Sequence, residues 1–443
     1  SLGLVGSEMC IRDRYNIKVF RHNTAQNNSY IKTNTQKKIN MKQKRLTFLL
    51  LLISNLFCAS AQKWYKPEID LKVEELLGQM TVEEKLGYIG GIDWMYTKSI
   101  DRLGIHRMRM SDGPQGIGTK GKSTAYPATV TLAATWNENL AYQYGKALGR
   151  DCRARNINVI LGPAVNIYRA PMCGRNFEYM GEDPYLTSRI CVGYIKGVQD
   201  QGVMATVKHF VANNSDYDRN NISNDIDERT LNEIYFPAYK AAIQEAEVGA
   251  IMTSYNLMNG IYTTENPWLL KEVLRNQWGF KGLVMSDWGS THYCVPAARS
   301  GLDLEMAGGE KMNPKDMAYY LKTGDVTMDM VDEKVRHILR ILIAFGFKDG
   351  TEADKSIALD DPQSVETALN VAREGLVLLK NENNILPINP KKYKHIIVTG
   401  KNAHGYVHGG GSGAVVPFHY TNLFDRIQKE GKLNNVKVEY IDE

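Results

Sequence analysis

From about residue 70 onward the chain alternates helical periodicity with short apolar runs, each closed by Gly or polar residues. This is the rhythm of βα units, and it limits the fold to a parallel sheet dressed with helices. Runs at 105–110, 159–162, 203–207, 250–254, 282–285 and 302–305 read as strands, with helices at 138–153, 185–201 and 231–246 between them. A doubly wound open sheet shares this rhythm. The number of strands and a span of roughly 280 residues favour a TIM-like (β/α)8 barrel.

The residues just after each run carry more information than the run itself. Ser111-Asp112-Gly113-Pro114, 163–166, Lys208-His209-Phe210, Tyr255-Asn256 and Ser286-Asp287-Trp288 all stand at strand carboxyl ends. In a barrel those ends converge on one face, where active sites lie. Near 352–362 the pattern relaxes into a polar, Asp-rich stretch, after which a helix at 365–379 and a strand at 396–400 open a second α/β domain. The expected organisation is a barrel at 65–350, a linker at 351–364 and a partial second domain at 365–443.

The first sixty residues read differently. Lys42, Lys44 and Arg45 precede the apolar run 46–57, and Ala59-Ser60-Ala61 follows, the pattern of a secretory signal peptide over 41–61. The run is shorter than the ~20 apolar residues of a membrane span, so no stable membrane insertion is expected. Phe57 ahead of Cys58 argues against a lipidation signal. Residues 1–40 are set aside as a non-native leader, and the mature chain is expected to be exported, periplasmic or extracellular. With 43% hydrophobic and 23% charged residues the composition is globular. The net charge of +5 is misleading: residues 1–61 hold ten Lys and Arg against two acids, and 62–443 hold 44 against 47, net −3. A nucleic-acid partner therefore loses its electrostatic basis. Cys152, Cys173, Cys191 and Cys294 show no metal-ligand spacing and read as free thiols.

Each strand-end residue has two readings. Asp287 beside Trp288 suits a nucleophile next to an aromatic sugar platform, or a helix N-cap. Lys208 and His209 suit two donors to sugar hydroxyls, or a surface Lys and a half-buried His. Asp112 suits a bidentate clamp on a diol, or a turn. Arg175 suits a ligand contact, or an ion pair with Glu178, Glu182 or Asp183. The Gly-rich stretch 408–413 lacks the spacing of a phosphate loop and suits a backbone approach to substrate.

The stretches SDGPQGI (111–117), GRNFEYMGEDPY (174–185), KHFVAN (208–213), MTSYN (252–256), GLVMSDW (282–288) and REGLVLLKNENNIL (373–386) resemble glycoside hydrolase family 3, in its exported bacterial β-glucosidase branch. The resemblance implies a barrel followed by an α/β sandwich domain, with the site between them and no metal or organic cofactor. It implies Asp287 as the nucleophile of a retaining hydrolase acting on terminal β-D-glucosyl residues of a β-linked oligosaccharide or glycoside. Asp112, Arg175, Lys208, His209 and Arg219 would hold sugar hydroxyls. Met252, Tyr255 and Trp288 would line the subsite, with Tyr255 near the nucleophile, and Ser412 would come from the second domain. Many relatives carry an Arg where this chain has Gly118; Lys120 or Lys122 would have to replace it. The resemblance places the acid/base Glu beyond residue 443, so a C-terminally truncated chain is expected. A β-xylosidase of the same family and a non-catalytic carbohydrate-binding derivative are the alternatives. The N-acetylglucosaminidase branch is disfavoured, because Val211-Ala212-Asn213 stands where it has Pro-Gly-His.

Overall fold

The computed structural model describes residues 64–119 and 121–442. The stretches expected to be a leader (1–40) and a signal peptide (41–61), and Lys120, lie outside the described residues. Five parallel strands form the sheet: β1 (Met110–Asp112), β2 (Val159–Leu161), β3 (Met204–Phe210), β4 (Ala250–Thr253) and β5 (Leu283–Met285), in the spatial order of the sequence. Parallel bridges Met285↔Leu304 and Gly90↔Glu305 carry the ladder past β5 and back to the segment that follows the helix at 82–88, curling the sheet into a TIM-like barrel. Nearly every residue of β2 to β5 is buried, as expected for strands covered on both faces.

The helices form for local reasons. Helix α1 (Glu138–Arg153) is capped by Asn137, whose side chain accepts from the Leu140 amide, and carries Arg150 and Arg153 in its last turn. Helix α2 (Pro184–Gln199) opens on Pro184 after Asp183, which accepts from the Tyr185 and Leu186 amides. The two pack along a glycine seam. A Cβ on Gly197 would lie 2.1 Å from the Tyr142 carbonyl oxygen, and one on Gly145 2.1 Å from that of Tyr194. Helix α3 (Met328–Ala344) packs against the helix at 67–79 and against strand β5, and no described helix is long and apolar enough to cross a membrane.

The stretch expected to be a linker is fastened to helix α1 and the turn after it. Arg153 pairs with Asp354 at 2.5 Å, and Arg155 donates to the Leu359 carbonyl at 2.9 Å. Helix α4 (Pro362–Gly375) starts three residues earlier than the sequence rhythm suggests, because Asp361 caps it while also holding Arg150 at 2.7 Å. Ser364 donates to buried Asp151. The helix ends at Gly375, four residues before the expected 379, leaving Leu376 to Leu379 exposed. Beyond it, parallel strands β6 (His395–Thr399) and β7 (Lys437–Ile441), with helix α5 (Leu423–Leu433) between them, form a βαβ unit. A short ribbon pairs Val416–Pro417 with Lys122–Ser123 and ties the C-terminal part to the barrel loop after β1.

The four cysteines among the described residues are free, three of them buried. Gly197→Ala should lower stability by about 1–3 kcal/mol through overpacking of the α1–α2 seam, read as a shift of the urea midpoint with unchanged slope.

Candidate active site

The loops at the carboxyl ends of the strands enclose a cavity of about 350 Å³ lined by Asp112, Arg175, Lys208, Arg219, Met252, Tyr255, Asp287, Trp288 and Ser412, together with Trp94, Phe177 and Asp216. A larger recess of about 470 Å³, walled by Trp64, Tyr142 and Phe345 among others, contains none of these residues. Converging charge, rather than volume, marks the site.

Asp287 follows β5 and is only 6% exposed. One carboxylate oxygen accepts from the Trp288 amide at 2.7 Å; the other faces Arg175 Nη1 at 3.2 Å and His209 Nε2 at 3.4 Å. It caps no helix, since the next one begins at Cys294. Lys208 and His209 lie inside β3, which runs three residues past the expected end, and both are buried rather than surface or half-buried. Burial pushes the His209 imidazole well below its ordinary value, and Arg175, Lys208 and Arg219 push in the same direction, so the ring is neutral. Asn166 frames it, accepting from the His209 amide at 2.8 Å and donating to its carbonyl at 2.9 Å.

Asp112 ends β1 and faces the cavity partly buried. Burial raises its carboxyl; Lys208 opposes this, while Glu178 and Asp287 add to it. Arg219 pairs with Asp216 at 2.7 Å and lies 4.0 Å over the Tyr255 ring, an arrangement that orients its guanidinium. Tyr255 donates to the Trp288 carbonyl at 3.0 Å, and burial together with the Asp287 charge raises its phenol. Trp288 Nε1 donates to the Trp94 carbonyl at 2.8 Å, fixing the indole as a wall. Met252, at the end of β4, supplies apolar floor.

Ser412 reaches this site from the Gly-rich loop, donating to Glu178 at 3.0 Å. The loop can lie this close because its glycines carry no side chain: a Cβ on Gly409 would sit 2.3 Å from the Phe177 ring. Lys122 is not at the site; it is exposed in the ribbon with Val416. A side chain at Gly118 would meet the Ala414 carbonyl at 3.1 Å, so this loop takes the space at that position.

Sequence reasoning offers Glu178 only as a partner for Arg175, yet it is fully buried at the centre of the cluster. Its position within GRNFEY is the only signal. Trp94 escapes a reading of the sequence as well, because it belongs to no strand-end run; it is 65% exposed at the rim with φ 64°.

Fold and pocket together define a class, a TIM-like barrel with its site at the strand carboxyl ends. Within that class the chain belongs to glycosyl hydrolase family 3: residues 77–341 match the family's N-terminal domain and 376–440 its C-terminal domain. It is 41% identical over 355 residues to a β-glucosidase of Rhizobium radiobacter, covering 79% of this chain and 43% of that one. It is also 41% identical over 379 residues to a β-glucosidase of Bacteroides ovatus, covering 78% and 50%. The structure resembles that of β-glucosidase 3B from Thermotoga neapolitana in complex with α-D-glucose, with a TM-score of 0.74 at 33% identity, covering 83% of this chain and 55% of that one. A second similar structure is that of DesR, a β-glucosidase from Streptomyces venezuelae in complex with D-glucose, with a TM-score of 0.77 at 35% identity, covering 85% and 50%. The chain spans about half the length of the curated relatives it matches.

His209 has a pH consequence. Its folded-state value is depressed, so the unfolded chain takes the proton first; the stability it contributes is present above pH 6.5 and is lost as pH falls below that. His292 and His337, also depressed, act in the same direction. His209→Gln should flatten the acid-side slope by at most about 1.4 kcal/mol per pH unit, measured as urea midpoints taken across pH 6.5.

Proposed function

We propose that the chain carries the glycone-binding and nucleophilic part of a retaining β-glucosidase. One observation carries the reading: a buried carboxylate at a barrel strand end, Asp287, faced by Arg175 at 3.2 Å and neutral His209 at 3.4 Å and adjoining the Trp288 indole. Arg175 lies beside the carboxylate with its charge of opposite sign, and the indole offers a flat apolar face to a pyranose ring. Asp112, Lys208 and Arg219 supply an acceptor and donors for its hydroxyls, with Ser412 closing the side opposite the strands. Relatives named β-glucosidase, and glucose in the similar structures, support the glucosyl assignment.

In the first step an Asp287 oxygen forms a bond to the anomeric carbon while the bond to the leaving oxygen breaks, and the leaving group departs with the electron pair. Water then attacks the same carbon as the bond to Asp287 breaks and the carboxylate is released; the proton that the water gives up balances the one that the departed oxygen takes up, and the product retains its configuration. The contacts of Asp112, Lys208 and Arg219 hold the sugar in line for attack, and it is the carboxylates, Asp287 above all, that attract the ring more strongly as it gains positive character. The reading includes export, on the basic–apolar–small pattern at 41–61, and a barrel over 65–350 followed by a second α/β part from 365.

The test uses 2-deoxy-2-fluoro-β-glucoside with a dinitrophenyl leaving group, which needs no proton donor to depart. The expected result is a stoichiometric adduct on Asp287, abolished in Asp287→Ala. An adduct elsewhere overturns the nucleophile assignment. Sugar binding without an adduct favours a non-catalytic protein, and labelling only by the xyloside reagent favours a xylosidase. Asp112→Ala should retain the adduct but lower the labelling efficiency about 10- to 100-fold, the scale of one hydrogen bond to a charged group.

A further inference from the structure

We propose that Glu178 is a positioning residue that keeps Arg175 from closing onto the nucleophile and latches the Gly-rich loop over the sugar site. The inference rests on the glycosidase reading of Asp287. Glu178 is 0% exposed and touches three functional groups at once. Its Oε1 accepts from Arg175 Nε at 2.5 Å, and its Oε2 faces Lys208 Nζ at 3.4 Å and accepts from the Ser412 hydroxyl at 3.0 Å. The backbone on either side is pinned too: Thr129 donates to the Glu178 carbonyl at 2.7 Å, and Gln115 donates to the Phe177 carbonyl. A carboxylate this buried persists only because its lone pairs are occupied and cations face it.

The geometry explains why a carboxylate is needed there. Arg175 has two anionic neighbours, Glu178 at its Nε edge and Asp287 at one terminal nitrogen. A guanidinium forks most strongly onto a single carboxylate. If Glu178 were neutral, Arg175 would turn both nitrogens to Asp287 and hold back the electron pair that attacks the anomeric carbon. The same loss would remove one of the two carboxylates that balance the Lys208 charge among the sugar-binding groups, leaving Asp112 alone. It would also leave Ser412 with a weaker acceptor, although Gly409 and Gly413 still pack on Phe177. Glu178 thus connects the charge state of the barrel floor to the position of a loop more than two hundred residues away.

The experiment compares the full chain with Glu178→Gln, Glu178→Asp and Ser412→Ala. Dinitrophenolate release from the 2-fluoroglucoside is followed against pH, together with thermal melts. For folded Glu178→Gln the labelling rate should fall at least about tenfold. Its acid limb should move to lower pH, because the freed cations favour the ionised nucleophile. A purely structural role would lower the melt and the plateau without moving that limb. Ser412→Ala should slow labelling less and leave the limb in place. Wild-type rate and limb in Glu178→Gln would overturn the proposal. If that variant does not melt cooperatively, Glu178→Asp decides: its shortened carboxylate should slow labelling at an unchanged melting temperature, and a wild-type rate, or slowing accompanied by a lowered melt, overturns the role. A wild-type chain that takes no label overturns the glycosidase reading, and the positioning role falls with it; a labelled wild type with unaffected variants overturns the positioning role alone.

Discussion

Taking Glu178, Asp287, Arg175 and Lys208 out of water at the end of one barrel is the constraint to which the surrounding structure answers. Each buried charge alone would be costly by several kcal/mol. They persist because each faces an opposite partner within 3.4 Å. Burial would raise the Glu178 carboxyl, but Arg175 and Lys208 overcome it and hold it below its ordinary value. The same cations, with burial, keep His209 neutral, so the cluster contains an uncharged ring next to a carboxylate rather than a second fixed charge.

That constraint ties distant parts of the chain together. Arg175 and Glu178 lie on a loop after β2, Lys208 and His209 inside β3, Asp287 after β5, and Ser412 well beyond the barrel. The ribbon of Val416–Pro417 with Lys122–Ser123 and the fastening of Asp361 and Ser364 onto α1 keep the C-terminal part against the barrel. Glycines at 409 and 413 then set how near the loop comes. A bulkier loop would stand off Phe177 and take Ser412 away from its acceptor.

Much of this is legible in the order of residues. The apolar runs at 159–162, 250–254 and 282–285 become strands within a residue or two, because strands buried on both faces leave an unbroken apolar signature. Helix 138–153 is legible to the residue, since Asn137 caps one end and arginines crowd the other. Less is legible where a polar residue sits inside an element. Strand β3 continues through Lys208 and His209, which read as a polar stop because a lone sequence does not show that Glu178 and Asp287 will face them. Helix α4 starts early because Asp361 finds Arg150, a contact across 211 residues.

The sequence by itself determined that this chain builds parallel βα units with reactive residues at the strand ends, because periodicity and strand-end chemistry are local properties of the order of residues. It also nominated Asp287, Asp112, Lys208 and His209. Only the tertiary structure decided which nominees share one cavity and that Glu178 stands at the middle of them. It also decided that Lys122 is elsewhere and that a loop from beyond the barrel closes the wall. Those outcomes depend on which charges are buried together, and burial of a charge is set by neighbours that sequence distance does not reveal.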